Sequence, residues 1–274
     1  MHINGKTKVT GIFGNPIDHT LSPAMHNSAF RALELNMCYV PFRVIPDDLS
    51  GAVQSIRSLN MLGVNITVPH KEHVLPLLDR IDEEASFIGA VNTVTNKDGV
   101  LTGYNTDGRG FTSSLAEENV SIEHKNILMI GAGGAARSVS YYLSEKASKL
   151  SLFDIDTPKA EKLASDLNQI RNNIVLLDTM ENIDEHDIII NATPLGLKPD
   201  DPLPIKPDCI TAKMIVCDLV YKKTRLLREA ETRHARTVNG SGMLLWQGVL
   251  AFELWTGIKP PVDVMRNALM AGIQ

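Results

Sequence analysis

The run Asn126-Ile127-Leu128-Met129-Ile130-Gly131-Ala132-Gly133-Gly134-Ala135-Ala136, continued by Arg137 to Glu145, decides how this chain folds. Its apolar half has strand length, its middle is a glycine turn, and its last part has the composition of a helix. Strand, glycine turn and helix in that order open a parallel sheet of the dinucleotide-binding kind. Gly131 permits the tight turn, Gly133 lets the backbone approach a pyrophosphate, and small Ala136 lets helix and strand pack closely. The helix N-terminus offers N–H donors and a positive dipole end to the phosphates. The next apolar run, Leu150 to Phe153, ends on Asp154, an acid about 20 residues beyond the first glycine, where a ribose-binding carboxylate is expected. A tight turn that binds nothing, or binds another phosphate ligand, is the alternative reading of these residues.

Working outward, the same alternation continues through a helix near Pro158 to Leu167 and strands at Ile174 to Leu177, Asp187 to Ile190 and Met214 to Val216. Asn191-Ala192-Thr193-Pro194-Leu195-Gly196 closes one of these strands at a turn, where backbone groups can meet the nicotinamide half of a cofactor. Lys198 to Pro207 holds four prolines and reads as a long surface loop, because proline lacks the donor N–H. An earlier series runs Val9 to Phe13, Pro23 to Leu35, Cys38 to Val44, Asp47 to Leu59 and Val64 to Val68, again strand and helix in turn. Val91 to Thr95 and Val100 to Gly103 flank Asp98-Gly99, a hairpin signal that adds an antiparallel element to this first sheet. Two alternating series in 274 residues imply two α/β domains. Two last helices, about Met243 to Thr256 and Val262 to Ala271, have no strand of their own and are expected to return to the first domain, bringing Gln247 with them.

A net charge of −5 without any long Lys/Arg block excludes the electrostatic footprint of a nucleic-acid or anionic-membrane binder, so small-molecule partners are expected. No stretch approaches the ~20 apolar residues that span a bilayer and the N-terminal residues lack a signal-peptide core, which together predict a cytoplasmic location. Cys38, Cys209 and Cys217 are odd in number, lack C-x-x-C spacing, and read as reduced, buried residues. His70 and His73 follow Pro69 at a strand end with no cysteine or carboxylate cluster at zinc spacing, so no metal is expected.

The polar residues of the first domain gather at or just beyond predicted strand ends, where open α/β sheets bind ligands. Thr20 and Ser22 lie in a loop entering a helix, where hydroxyls and helix N–H groups can hold a carboxylate; Ser22 reads equally as the N-cap before Pro23. Asn65 and Thr67 share a strand face by period-two spacing, an odd choice for a purely apolar core. Lys71 alone reads as a solvated lysine, and Asp107 alone as a helix cap.

Together these runs resemble a family. Gly14-Asn15-Pro16-Ile17-Asp18-His19-Thr20-Leu21-Ser22-Pro23, Asn65-Ile66-Thr67-Val68-Pro69-His70-Lys71, Gly89-Ala90-Val91-Asn92-Thr93, Asn105-Thr106-Asp107-Gly108, the glycine loop and Phe252-Glu253-Leu254-Trp255-Thr256-Gly257 are similar to the shikimate dehydrogenases in order and spacing, over essentially the whole chain. The resemblance implies an α/β chain with a mostly parallel substrate domain, residues 1–106 completed by 240–274, a Rossmann-like NAD(P) domain at 107–239, and the active site in a cleft. It implies a reversible reduction of 3-dehydroshikimate to shikimate, a step of chorismate and aromatic amino acid biosynthesis, by a monomer or homodimer. It assigns Thr20 and Ser22 to the substrate carboxylate, Asn65, Thr67, Asn92, Asp107, Tyr221 and Gln247 to the ring hydroxyls, and Lys71 with Asp107 to the catalytic pair. It assigns Gly131, Ala132, Gly133, Gly134, Ala135, Asp154, Ala192, Thr193, Leu219 and Gly240 to the cofactor.

Two positions depart from the family pattern. Thr20 stands where serine is usual, and its extra methyl leaves a quinate/shikimate dehydrogenase as the nearest alternative. Asp154-Ile155-Asp156 stands where NADP-preferring members carry an Asn-Arg-Thr-like run. A carboxylate there accepts from a free 2′-hydroxyl and repels a 2′-phosphate, and Ile155 supplies no cation, while Lys159, one helical turn on, can partly rescue phosphate binding as a point charge; NAD is expected over NADP, with dual use as the fallback. A methylene-tetrahydrofolate enzyme would need a pterin-stacking aromatic that is not found near Lys71, and a non-catalytic nucleotide sensor would need neither Lys71 nor Asp107.

Overall fold

The structure, a computed structural model, describes residues 3–273. Its elements run β1 (Lys8–Gly14), α1 (Ser22–Ala32), β2 (Met37–Arg43), α2 (Leu49–Ser58), β3 (Gly63–Ile66), β4 (Arg80–Ile81), α3 (Glu83–Ile88), β5 (Thr93–Lys97), β6 (Val100–Tyr104) and α4 (Asp107–Glu117). They continue β7 (Asn126–Ile130), α5 (Gly134–Lys146), β8 (Lys149–Phe153), α6 (Thr157–Asn168), β9 (Ile174–Leu176), β10 (Ile188–Asn191), β11 (Ile215–Asp218), α7 (Arg225–Thr232), β12 (Arg236–Asn239), α8 (Ser241–Thr256) and α9 (Val262–Ile273). The chain divides into two compact units, Met1–Thr106 with Gln247–Gln274, and Asp107–Trp246.

The first unit holds a six-stranded sheet in the order β2-β1-β3-β5-β6-β4. β1 pairs parallel with β2 and β3, and β3, β5 and β6 pair antiparallel. The antiparallel turn falls on Asp98-Gly99, both at positive φ, as the hairpin signal predicts. Two-residue β4, which pairs with β6, is too short to show any periodicity in the sequence. One face of the sheet builds an apolar core from Phe13, Val64, Ile66, Val91 and Val94 against Val53 and Ile56 of α2. The other is covered by α1, with the aromatic residues of α8 beside it: the rings of Phe30 and Phe252 lie 5.1 Å apart, and Trp255 Nε1 donates to the Val94 carbonyl at 2.9 Å. A Cβ on Gly63 would collide with that carbonyl, so glycine is what lets Trp255 approach β3.

The second unit holds six strands, all parallel, in the order β12-β11-β10-β7-β8-β9. This is the doubly wound order, with its switch between β7 and β10. Continuous burial of Ile127 to Ile130 and Ile188 to Asn191 explains why these strands read as unbroken apolar runs. The sequence reading missed α7 and β12. α7 buries only Leu226, Leu227 and Ala230 among charged residues, and in β12 only Val238 is buried. The return to the first unit begins at Gln247, inside α8, where the sequence reading placed it at 240. The first turns of α8 serve the second unit: Gly242 lies against Ser114, and Trp246 Nε1 donates to Glu117 at 3.0 Å.

Cys38 and Cys217 are buried as expected, but Cys209 is half-buried, because it follows a proline-rich loop rather than sitting in a strand. His70 is buried with Nε2 2.7 Å from the Val44 carbonyl, so its ring serves the core of the first unit. Among the described residues no helix is long and apolar enough to cross a membrane.

His26 of α1 is fully buried, stacked on Tyr39 with ring centroids 4.4 Å apart, and neither ring nitrogen has a hydrogen-bond partner among the described residues. Burial pushes its pKa down to about 3. An unfolded imidazole titrates near ~6.5, so between these values the unfolded chain binds a proton that the folded chain refuses. Stability from this residue is therefore complete above about pH 6.5 and declines as pH falls toward 3, by about 1.4 kcal/mol per pH unit. Urea unfolding of the native protein and His26→Leu should diverge by that slope below about pH 6.5. Parallel slopes in the two proteins contradict it.

Candidate functional site

In the first unit, parallel β1 and β3 deliver their C-terminal loops side by side. The Asn15 N–H donates to the Val68 carbonyl at 3.0 Å and the Thr67 N–H to the Phe13 carbonyl at 3.0 Å. These loops carry Thr20 and Ser22 on one side and Thr67 and Lys71 on the other. Ser22 is the first residue of α1 and Leu21 occupies the cap position, so the Ser22 hydroxyl is not spent on capping. Thr20 Oγ1 accepts from the Ser22 N–H at 3.4 Å. β3 ends at Ile66, which leaves Thr67 just past the strand that the sequence reading extended to Val68.

Asn65 and Asn92 are 4% and 2% exposed, far too buried for amides without a network. Asn65 Nδ2 donates to Thr93 Oγ1 at 3.0 Å and to the Asn92 carbonyl at 3.1 Å. Asn92 Nδ2 donates to Thr106 Oγ1 at 2.9 Å, and its Oδ1 accepts from the Thr106 N–H at 2.9 Å. Thr106 Oγ1 also reaches the Gln247 carbonyl at 3.1 Å, which draws α8 into the set. Half-buried Lys71 has its carbonyl held by the Val91 N–H at 2.8 Å. Asn65, Thr93, Asn92 and Thr106 thus form one hydrogen-bonded cluster of the first unit, and Gln247 and Lys71 adjoin it through their backbone carbonyls.

In the second unit, Gly131 adopts φ +106, and a Cβ there would sit 3.0 Å from the Ala192 backbone, so the first glycine is required on both counts. Exposed Gly133 and Gly134 differ: a Cβ on either meets nothing within 4 Å. Open space over the start of α5, whose first amides have no acceptor within the helix, fits the pyrophosphate of a dinucleotide. Ala136 is fully buried, as close packing of helix and strand requires.

Asp154 directly follows β8, with Oδ2 2.6 Å from the Ala132 N–H and Oδ1 2.8 Å from the Asp156 N–H. It therefore ties the glycine loop to the next strand and keeps lone pairs for a further donor. Ile155 is 93% exposed. Lys159 pairs with Asp156 at 2.7 Å, and that hydrogen bond is the main cause holding the Asp156 carboxyl below its usual range.

Beyond β10, Asn191 Oδ1 accepts from Thr193 Oγ1 at 2.6 Å and from the Thr193 N–H at 3.1 Å, while its Nδ2 donates to Asp218 at 3.1 Å. Asp218 is 1% exposed and also accepts from Thr224 Oγ1 at 2.7 Å. Burial raises its pKa, and the hydrogen bonds from Thr224, Val220 and Asn191 work against that rise. The Leu219 N–H donates to the Asn191 carbonyl at 2.9 Å, and the Gly240 N–H to the Val220 carbonyl at 3.1 Å. Ala192, Thr193, Leu219 and Gly240 so form one wall at the ends of β10, β11 and β12. Tyr221 is half-buried in the same loop, with the Lys222 ammonium 6.0 Å from its ring centre. Asp107 opens α4 and is buried.

Three family descriptions match in chain order: "Shikimate dehydrogenase substrate binding domain" over residues 12–94, "Shikimate / quinate 5-dehydrogenase" over 114–195, and "Shikimate 5'-dehydrogenase C-terminal domain" over 240–270. The chain is 49% identical to a shikimate dehydrogenase (NADP(+)) of Desulforamulus reducens, across 97% of this chain and 96% of that one. The chain belongs to the shikimate dehydrogenase family. A shikimate dehydrogenase solved in complex with NADP+ superimposes with a TM-score of 0.94 at 40% identity, covering 100% of this chain and 98% of that one. The Listeria monocytogenes shikimate 5-dehydrogenase, solved with shikimate and NAD, does so with a TM-score of 0.91 at 38% identity, covering 97% and 98%.

The sequence reading gives no role to Tyr39, Thr93 or Asp218, which hydrogen-bond to Asn65, Asn92 and Asn191. Each is buried and polar, and in the sequence each looks like an ordinary strand residue.

Proposed function

We propose that this chain catalyses the reversible, nicotinamide-linked reduction of 3-dehydroshikimate to shikimate. The observation that carries this reading is the coincidence of full-length family membership with the bonded cluster of Asn65 and Asn92 at the strand ends of the first unit. Thr20 and Ser22 hold the substrate carboxylate, helped by the positive end of α1. Asn65, Thr67, Asn92, Tyr221 and Gln247 meet the ring hydroxyls, and Lys71 and Asp107 carry the acid–base work. The nicotinamide, when bound, supplies or takes the hydride. As negative charge develops on the ketone oxygen, the Lys71 ammonium gives it a proton; in the oxidation direction the neutral amine takes that proton back.

The cofactor is held through Gly131 to Ala135, Asp154 and the wall of Ala192, Thr193, Leu219 and Gly240. NAD is the preferred form in this reading, although the Desulforamulus relative is named for NADP(+). Its support is the Asp154 carboxylate at the ribose position, the apolar exposed Ile155 beside it, and the engagement of Lys159 with Asp156. The methyl of Thr20 keeps quinate as the second substrate to test. Reduced-nicotinamide absorbance, followed with shikimate and quinate in parallel, should rise with shikimate at the higher kcat/KM. A higher value for quinate would make the chain a quinate/shikimate dehydrogenase, and no signal with either would favour a nucleotide sensor.

A further inference from the structure

The sheet face under α1 carries a polar line that runs past the residues assigned to the substrate. Tyr39 of β2 pairs with Thr10 of β1, Ile12 of β1 with Asn65 of β3, and Asn65 with Thr93 of β5. Paired residues share a face, and Thr10 and Ile12 are two apart, so Tyr39, Asn65 and Thr93 point the same way. The Tyr39 hydroxyl donates to Asn65 Oδ1 at 2.8 Å, Asn65 donates to Thr93 Oγ1, and Thr93 Oγ1 donates to Asn92 Oδ1 at 3.0 Å. The phenol that holds Asn65 is itself only 2% exposed.

Chemistry fixes the direction of these bonds. A backbone carbonyl only accepts, so the Asn65 atom facing the Asn92 carbonyl is the amide nitrogen and the atom facing Tyr39 is oxygen. The single phenolic proton is then committed to Asn65. Both Asn65 N–H groups are spent inside the protein, and what is left toward a ligand is a lone pair on Oδ1. Tyr39 has little room to adjust: Asn27 bonds its backbone N–H and C=O, each at 2.9 Å, and His26 stacks on its ring with the planes 11° apart.

We propose that Tyr39 is a positioning residue for the substrate: its hydroxyl fixes the Asn65 amide and leaves Asn65 an acceptor for a ring hydroxyl. This rests on the reading of Asn65 as a substrate contact. Tyr39→Phe keeps the ring, the stack and the backbone clamp and removes only the hydroxyl. It should raise the KM for shikimate about tenfold, the loss expected for one buried hydrogen bond, with kcat within about threefold and the KM for the cofactor unchanged. Thr93→Val, which breaks the line on the far side of Asn65, should shift KM in the same direction. A lower Tm for Tyr39→Phe with an unchanged shikimate KM would mean the hydroxyl is only structural and overturns the proposal. If Tyr39→Phe does not fold, an unchanged KM in Thr93→Val overturns it. Asn65→Ala separates the two layers: if it raises KM and Tyr39→Phe does not, this inference alone fails. If it leaves KM unchanged, the site reading fails and takes the inference with it.

Discussion

Replacing Lys71 by alanine should lower turnover with shikimate at least ~100-fold, the lower range for loss of a general acid–base group. Shikimate and the cofactor should still bind within about threefold of native affinity, because the contacts assigned to the carboxylate and ring hydroxyls are left in place. Lys71 is half-buried at the end of the loop that leaves β3, with its carbonyl fixed by the Val91 N–H, one residue from Asn92. Truncation beyond Cβ leaves that backbone bond intact, so the variant should fold. A lysine that served only the surface would cost almost nothing when removed. Near-native turnover would remove Lys71 from the mechanism, and a parallel loss of binding and turnover would make it a substrate anchor instead.

The second large effect concerns the cofactor. The native chain should use NAD over NADP by at least about tenfold in kcat/KM, since a 2′-phosphate brings a charge near −2 toward Asp154. Asp154→Asn combined with Ile155→Arg removes the repelling carboxylate and supplies a guanidinium that can bind a phosphate, which should reverse the preference. Asp154→Ala should weaken NAD use for two reasons. It loses the acceptor for the ribose hydroxyl and leaves the Ala132 N–H, now bonded at 2.6 Å, without its partner. A native preference for NADP would refute this reading of Asp154, and the family assignment would stand.

The parts of the fold that show in the sequence are those with a local physical cause. The glycine turn after Ile130 is legible because only glycine tolerates φ +106 against the Ala192 backbone. The β5–β6 turn is legible because Asp98-Gly99 suits two positive φ angles. β12 and α7 are not, because so few of their residues are buried that tertiary packing rather than pattern decides them.

The site divides in the same way. Residues with a distinctive run around them, such as Lys71 and Asp154, can be picked out from the chain. Tyr39, whose bond to Asn65 spans 26 residues, and Asp218, bonded to Asn191 across 27, cannot, because nothing near them in sequence betrays the partner. Which residue caps α1 and how far Lys71 is buried depend on the packed fold rather than on the local sequence. Leu21 takes the cap, and Lys71 is half-buried.

In the proposed reaction the hydride moves directly between a nicotinamide cofactor and the ring carbon of shikimate. Its most direct measurement is a turnover of 3-dehydroshikimate with reduced cofactor carrying deuterium at the transferring carbon, read by mass spectrometry and NMR of the product. The shikimate formed should carry one deuterium on the new carbinol carbon, appear one for one with oxidised cofactor, and be lost from the Lys71→Ala protein in step with its turnover. Native protein that binds the cofactor yet forms no shikimate, or forms it without the label, contradicts it.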